Sequence, residues 1–293
     1  MIFDPACISC IVNQAYNSAK LFGDGDKSLQ LRILKDVCEK TKFVNHDLAA
    51  PFFSRKIQEI IIEHTGELDP YKSIKKESIA KAEKYIPVLS SMIKNSQNKL
   101  EAAIRAAILG NIIDFGASPD FNLEHEIKNI TETQIDTSTL SNFKNDLNKA
   151  KMILYIGDNY EEALFDKLLL TELLPKRIVF AVRSQAILND ITLAEAKNLN
   201  IDIICSVIES GSTIAGTDLN ECTPEFLELY NTADLVISKG QGNYETLIDE
   251  TRPIYFLFKV KCEVISKHCG LPVGKGTMLL SRNDCEEKKA INY

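Results

Sequence analysis

The hydrophobic pattern divides the chain into two parts with different periods. From residue 1 to about residue 148, apolar side chains recur every three or four positions, as in the segment from Ile8 to Leu21. This spacing predicts amphipathic helices. We therefore expect an all-helical N-terminal domain over residues 1–148. Its helices are predicted near residues 8–21, 29–38, 51–66, 73–94 and 98–113.

After residue 148, short apolar runs alternate with helical segments. This alternation is typical of βαβ units, which form a mostly parallel sheet with helices on both faces. We expect such an α/β domain over residues 149–293, and the polar segment 115–136 is predicted to be the loop that connects the two parts. The predicted strands are Met152–Ile156, Arg177–Val182, Ile201–Val207, Leu235–Ser238 and Ile254–Val260.

Composition and charge narrow the choice of partners and compartment. The 293 residues carry a formal net charge of −7, so the basic excess of a duplex-binding surface is missing. No apolar run approaches the roughly 18 residues of a membrane-spanning helix. The N-terminus does not resemble a secretory signal, and cysteines are few. We expect a cytoplasmic protein with reduced thiols, without a nucleic-acid or membrane partner.

The predicted sheet selects candidate site residues by position alone. In sheets of this kind, ligands bind outside the carboxyl ends of the strands. Most of the residues at these ends are charged, amide or glycine positions. They are Asp158, Asn159, Asn189, Asp190, Ser210–Ser212, Lys239–Asn243 and Lys261.

Asp158, Asn159 and Asp190 form a candidate metal site. Two carboxylates and an amide offer hard oxygen ligands, which suit Mg²⁺ or Mn²⁺, with Co²⁺ or Ni²⁺ as further possibilities. The alternative is that Asp158 and Asn159 form a turn and that Asp190 caps a helix. Spacing alone leaves both interpretations open.

Lys239 and Lys261 are predicted to follow neighbouring strands, where two ammonium groups could bind a phosphoryl group. The alternative is two ordinary exposed lysines. The Gly240-x-Gly242 turn allows backbone N–H groups to approach an anion, with a helix opening near Asn243. Asn111, beside a glycine near the end of a predicted helix, is either a helix cap or a substrate contact.

Three familiar motifs are near-misses. Gly240 to Glu245 lacks the third glycine of a dinucleotide-binding loop, and Gly270 to Thr277 is one residue short of a phosphate-binding P-loop. Tyr160 stands where an Asp-x-Asp phosphatase has its second aspartate. We therefore expect neither NAD binding nor ATP hydrolysis, and metal-activated water is favoured over a covalent phospho-aspartate.

Cys7 and Cys10 form a CxxC pair at the start of the first helix. The helix dipole is expected to lower a thiol pKa there, which would suit redox chemistry. The pair could also ligate a soft metal together with Cys262 and Cys269, or serve as structural thiols. Structural thiols are the favoured interpretation.

In its ordered motifs the chain resembles the damage-control phosphatase family over nearly its whole length. The Cys7/Cys10 pair and Lys261-Cys262 are similar to its small, stand-alone prokaryotic branch. The other matching segments are Asp69-Pro70-Tyr71 with Lys75, Gly110 to Gly116, Gly157-Asp158-Asn159 with Glu162 and Phe165-Asp166, Val182-Arg183, Asn189-Asp190 with Thr192, Ser210-Gly211-Ser212, Gly216-Thr217, and Ile237 to Glu245.

The resemblance implies a helical domain beside a Rossmann-like α/β domain, with the active site between them. It also implies hydrolysis of phosphate monoesters of small metabolites, including sugar phosphates and damaged phospho-metabolites, with Mn²⁺, Co²⁺, Ni²⁺ or Mg²⁺ as cofactor. The family pattern places catalytic and metal-binding roles on Asp158, Asn159 and Asp190. We expect substrate binding by Asn111, Lys239, Gln241, Gly242, Asn243, Tyr244 and Lys261.

The chain departs from the family pattern close to the predicted metal site. Tyr160 and Glu161 stand where alanine and glycine are usual, which puts the choice of substrate in question more than the metal site. A non-catalytic metabolite or nucleotide sensor on the same fold is the main alternative function. Carboxyl methyl transfer is a lesser one, since no adenosylmethionine motif is recognisable.

Overall fold

The computed structural model describes residues 1, 3–23, 25–44, 47–112 and 135–281. The loop predicted over residues 115–136 lies outside the described residues except for its last two positions. Residues 113–116 of the Gly110 motif also lie outside them. The observed helices are α1 Ala6–Phe22, α2 Lys27–Thr41, α3 Ser54–Thr65, α4 Lys72–Ala82, α5 Ile86–Asn95, α6 Lys99–Ile112, α7 Thr137–Lys149, α8 Ala163–Leu173, α9 Leu193–Asn198, α10 Pro224–Thr232, α11 Gln241–Leu247 and α12 Glu263–Cys269.

Local sequence signals explain where several N-terminal helices begin and end. The Asp26 carboxylate accepts hydrogen bonds from the first N–H groups of α2. α3 ends at Gly66, as predicted, because glycine adopts the left-handed conformation there (φ 74°). The predicted helix over 73–94 is wrong as a single element. A 3₁₀ turn at Glu83–Tyr85 separates α4 from α5, and Pro87 lies in the first turn of α5, where proline is tolerated.

The α/β part forms a six-stranded sheet in the order β3-β2-β1-β4-β5-β6. The pairs among the first five strands in this order are parallel, and β6 runs antiparallel to β5. The mostly parallel sheet predicted from the sequence is confirmed. The strands are β1 Met152–Ile156, β2 Arg177–Val182, β3 Ser206–Glu209, β4 Leu235–Lys239, β5 Tyr255–Lys259 and β6 Gly276–Leu280.

One predicted strand needs correction, and one observed strand was not predicted. β3 begins at Ser206 rather than Ile201, because the chain turns there: the N–H groups of Ile204 and Cys205 both donate to the Ile201 carbonyl. The sequence did not predict β6. Its residues overlap the glycine-rich segment that resembles a phosphate loop, and only the pairing with β5 gives them extended structure.

Helices cover both faces of the sheet, as predicted. On one face, α6 packs against α8 so closely that a Cβ on Gly110 would lie 3.1 Å from the Phe165 ring. On the other face, Phe226 and Tyr244 bury their rings against β-strand residues such as Phe258. One hydrophobic cluster extends from Ala82 to Met278, so helices α4 to α7 share a core with the sheet, whereas the buried residues of α1, α2 and α3 form a cluster of their own. The boundary near 148 stays a prediction.

β1 lies between β2 and β4, whereas the chain runs from β1 to β2 to β3 before it returns to β4. This reversal makes the carboxyl ends of β1 and β4 the switch point of the sheet, where α/β proteins form ligand crevices. Among the described residues, no helix is both long and apolar enough to cross a membrane.

Candidate active site

A cavity of about 560 Å³ lies at the switch point, between the sheet and helices α1 and α6. It contains side chains from the loops after β1, β2, β4 and β5. Seven of the ten predicted site residues line it. These are Asn111, Asp158, Asn159, Asp190, Gln241, Gly242 and Lys261.

Hydrogen bonds between the loops after β1 and β2 bring the two aspartates together. The Ile191 N–H donates to the Asp158 carbonyl (2.8 Å), and the Tyr160 N–H donates to the Asn189 carbonyl (2.8 Å). A β-bridge between Asn159 and Asp190 continues this pairing. Residues 32 positions apart in the chain therefore become neighbours at the edge of the sheet.

Arg183, at the end of β2, lies behind the two aspartates and is almost completely buried. Its Nε donates to Asp190 Oδ2 at 2.7 Å, and its Nη2 lies 3.9 Å from Asp158 Oδ1. Even so, burial and then the nearby Glu162 and Asp190 carboxylates raise the Asp158 pKa well above its usual value. Burial also raises the Asp190 pKa, although the Arg183 guanidinium acts in the opposite direction.

Gly240 gives the Asp158 carboxylate its space. Gly240 has φ 79° and ψ 158°, a conformation that essentially only glycine adopts. A Cβ at this position would overlap the Asp158 carboxylate. The glycine that seemed suited to approach an anion therefore accommodates a carboxylate of the protein itself.

We expect the Gly240→Ala substitution to displace Asp158 and to weaken Mn²⁺ binding by about 10–100-fold, the usual effect of disturbing a ligand's surroundings. Titration of free Mn²⁺ by electron paramagnetic resonance measures this. Gly66→Ala is the control, because Gly66 also has positive φ but a Cβ there would have open space. It should lower stability by about 1–2 kcal/mol without changing Mn²⁺ affinity. Unchanged Mn²⁺ affinity in the Gly240→Ala protein would contradict the assignment of Asp158 as a metal ligand.

Glu162 fixes the orientation of two amide side chains beside Asp158. Its Oε1 accepts hydrogen bonds from Asn111 Nδ2 and from Asn159 Nδ2, both at 2.6 Å. Asn111 also accepts a hydrogen bond from the Lys259 N–H through its Oδ1 (2.8 Å). The Asn159 amide nitrogen is thereby engaged, which leaves its oxygen as the available ligand atom. Asn111 therefore contacts the carboxylates of Glu162 and Asp158 rather than serving only as a helix cap.

The structure does not place Lys239, Asn243 or Tyr244 on the cavity wall, so direct substrate contact by these three is not supported. Lys239 is fully buried, with Nζ 2.7 Å from Asp166 and 3.3 Å from Glu162. Burial alone would lower its pKa, but these two carboxylates raise it above the usual value. Lys239 is therefore a partner of protein carboxylates, and its predicted contact with substrate stays a prediction.

Asn243 and Tyr244 belong to α11, which begins at Gln241 rather than at Asn243. The Asn243 amide donates to the Gly157 and Lys239 carbonyls, and its Oδ1 accepts from Arg183 Nη2 at 3.0 Å. The Tyr244 hydroxyl pairs with His268 Nδ1 at 2.8 Å. Both side chains stabilise the loops around the cavity.

The buried charges around the cavity are predominantly negative. Among the described residues, the two aspartates, Glu161, Glu162 and Asp166 are buried, whereas the buried cations near them are Arg183, Lys239 and Lys75, the last of which pairs with Glu195. Oxygen donors with excess negative charge fit a hard divalent cation. No group of three or more His, Cys, Asp or Glu side chains in the described part of the chain is arranged to hold a metal. An ion here would therefore rely on Asp158, Asp190 and the Asn159 amide.

The lowered thiol pKa expected for Cys7 and Cys10 needs correction. Burial raises the pKa of Cys7 to about 11 and also raises that of Cys10, so desolvation outweighs the effect of the helix dipole. The described residues also contain no group of three metal-ligating side chains that includes these cysteines. These observations favour structural thiols over redox-active or metal-binding ones.

Several residues of the site were missing from the sequence-based list. Glu161 and Glu162 follow the predicted ligands Asp158 and Asn159 after one intervening residue, and Arg183 and Lys259 lie at strand ends, so the strand-end rule could have found them. Gln14, from α1, carries no such signal, because only tertiary packing brings that helix to the cavity.

Fold and cavity together define an α/β protein with an acidic, amide-rich site at the switch point of a parallel sheet. The family model of the damage-control phosphatase ARMT1-like domain matches residues 3–277, and the chain belongs to this family.

Relatives from several archaea share most of the chain. An uncharacterized protein of Methanocaldococcus jannaschii is 35% identical over 94% of both chains. The damage-control phosphatase PH1575 of Pyrococcus horikoshii is 29% identical over 94% of this chain and 96% of its own. A crystal structure of that Pyrococcus protein superposes with a TM-score of 0.84 and covers 96% of this chain and 100% of its own.

Proposed function

We propose that this member of the family is a metal-dependent phosphatase that hydrolyses phosphate monoesters of small metabolites. The observation that carries the proposal is the buried pair of carboxylates, Asp158 and Asp190, beside the Asn159 amide in a polar cavity. Relatives that share most of the chain are named damage-control phosphatases. The cavity of about 560 Å³ is of the size that small-molecule ligands occupy.

Asp158, Asn159 and Asp190 would hold the divalent ion, with Mg²⁺, Mn²⁺, Co²⁺ or Ni²⁺ as the candidates. A bound ion of this kind neutralises phosphoryl charge and makes a water molecule more acidic. The protein's own contribution is to hold these ligands in place before substrate arrives. Arg183 holds the Asp190 carboxylate, and Glu162 directs the Asn159 amide.

Positive charge for the phosphoryl group comes from the end of β5 and the loop after it in this proposal. Lys259 and Lys261 line the cavity, and the Lys261 N–H donates to Gln241 Oε1 at 2.8 Å, which joins the loops after β4 and β5. Ammonium groups near a transferring phosphoryl group stabilise its negative charge. In this proposal Lys239 does not bind the substrate. It pairs with Glu162, which orients the Asn159 amide.

The test is hydrolysis of p-nitrophenyl phosphate by chelator-treated protein, to which each of the four metals is returned in turn. We expect phosphate release only with added metal. An identically purified Asp190→Ala protein controls for contaminating phosphatases and should be inactive with every metal. Release that persists in chelator, or full activity of the Asp190→Ala protein, would contradict the proposal. Binding of phosphate esters without release would favour a sensor.

A further inference from the structure

Glu161 is a buried acidic residue of the cavity to which the phosphatase mechanism gives no role. It lies in the turn between β1 and α8, is 5% exposed, and lines the cavity together with Asn189. Its Oε1 accepts a hydrogen bond from Asn189 Nδ2 at 2.8 Å. The Tyr160 N–H donates to the Asn189 carbonyl, so the side chains of Glu161 and Asn189 are fixed relative to each other.

The second carboxylate oxygen of Glu161 is unusual. Oε2 is buried and has no hydrogen-bond partner within the described part of the chain. Buried polar atoms are nearly always hydrogen-bonded in folded proteins, so each exception calls for an explanation, and a donor from a bound ligand is one. Because Glu161 lines the cavity, a ligand that reaches Oε2 from that cavity can provide the missing donor.

We propose that Glu161, held by Asn189, is a specificity-determining residue that accepts a hydrogen bond from a hydroxyl or ammonium group on the non-phosphate part of the substrate. A carboxylate repels a phosphoryl group, so Glu161 faces the remainder of the molecule. This inference rests on the proposed function. It adds that the preferred phosphate ester carries a hydrogen-bond donor within reach of Glu161.

Calorimetric binding of phosphonate analogues tests the proposal without turnover. We would compare short hydroxyalkyl phosphonates with counterparts that lack one hydroxyl, and with counterparts in which an amine replaces it, all with Mg²⁺ present. The parent protein should bind the best donor-bearing analogue at least about tenfold more tightly than its deoxy counterpart, because loss of the donor leaves a buried acceptor unpaired. The hydroxyl and amine series show which donor is recognised.

In the Glu161→Ala protein, this preference should fall below about threefold, since the acceptor is gone. Glu161→Gln keeps one amide oxygen and should retain an intermediate preference. It also preserves side-chain volume if the alanine variant folds poorly. Glu228→Gln, on the exposed face of α10, is the matched control and should leave the preference unchanged.

Two results would overturn the proposal. One is a parent protein that does not discriminate between the analogues, or a Glu161→Ala protein that discriminates equally well. The other is a Glu161→Gln protein whose Mn²⁺ affinity, measured by electron paramagnetic resonance, falls as far as its selectivity, because Glu161 would then act through the metal. Phosphonates are not hydrolysed, so these results are independent of the p-nitrophenyl phosphate assay, which alone decides the proposed function.

Discussion

The Asp158→Asn protein is expected to lose about a thousandfold or more of its metal-dependent kcat/KM for p-nitrophenyl phosphate. The substitution keeps the shape of the side chain but removes one of two anionic ligands, and a catalytic metal contributes several kcal/mol, at about 1.4 kcal/mol per tenfold in rate. Steady-state assays across the four metals measure the loss. Titration of Mn²⁺ by electron paramagnetic resonance should show binding weakened by about tenfold or more.

Stability measurements separate this effect from misfolding. The folded-state pKa of Asp158 is raised, so its ionised carboxylate destabilises the metal-free protein increasingly as pH rises from the unfolded value of about 3.8 toward the folded one. Replacing it by neutral asparagine removes that destabilisation. Urea denaturation at pH 7.5 in chelator should therefore show the Asp158→Asn protein at least as stable as the parent.

The matched control is Asp202→Asn, which makes the same change on an exposed loop and should leave activity and Mn²⁺ binding unaffected. An Asp158→Asn protein with more than a tenth of parental activity would show that Asp158 is not a ligand. A marked loss of stability in chelator would show instead that the carboxylate has a structural role.

The strand-end rule predicted much of the cavity because parallel strands deliver their carboxyl ends to one edge. Asp158, Asp190, Gln241 and Lys261 all follow apolar runs that the sequence shows directly, and each lines the cavity. Their chemical roles stay predictions until the experiments above are done. The sequence predicts the positions of these residues because a parallel strand that is buried on both faces is a nearly continuous run of apolar residues.

The sequence alone could not predict which distant residues contact each other. In the sequence, a lysine at the end of β4 indicates a phosphate contact, and only the packing of α8 against the sheet brings Asp166 and Glu162 to Lys239. In the same way, nothing local distinguishes Gly240 as the space for the Asp158 carboxylate. The sequence shows which residues reach the edge of the sheet but not which carboxylate each one meets, so neither contact could be predicted from it.

Lys239 is expected to be the residue on which the stability of the site depends most. Lys239→Met keeps the length of the apolar stem but leaves Asp166 and Glu162 without their buried cation. Breaking a buried ion pair by removing one partner typically costs about 3–5 kcal/mol. We expect the free energy of unfolding, measured in urea, to fall by about that amount, whereas Lys267→Met on the exposed part of α12 should change it by less than about 0.5 kcal/mol.

A double substitution tests whether unpaired charge causes the loss of stability in the Lys239→Met protein. Burial raises the Asp166 pKa to about 6 despite the favourable Lys239 partner, so removing both charges should relieve much of the loss. Lys239→Met combined with Asp166→Asn is therefore expected to be more stable than Lys239→Met alone. Equal or lower stability of the double variant would show that lost packing, rather than an unpaired carboxylate, causes the effect. Because Lys239 also holds Glu162, which orients Asn159, recovered stability without recovered Mn²⁺ affinity would link this buried lysine to the metal ligands above it.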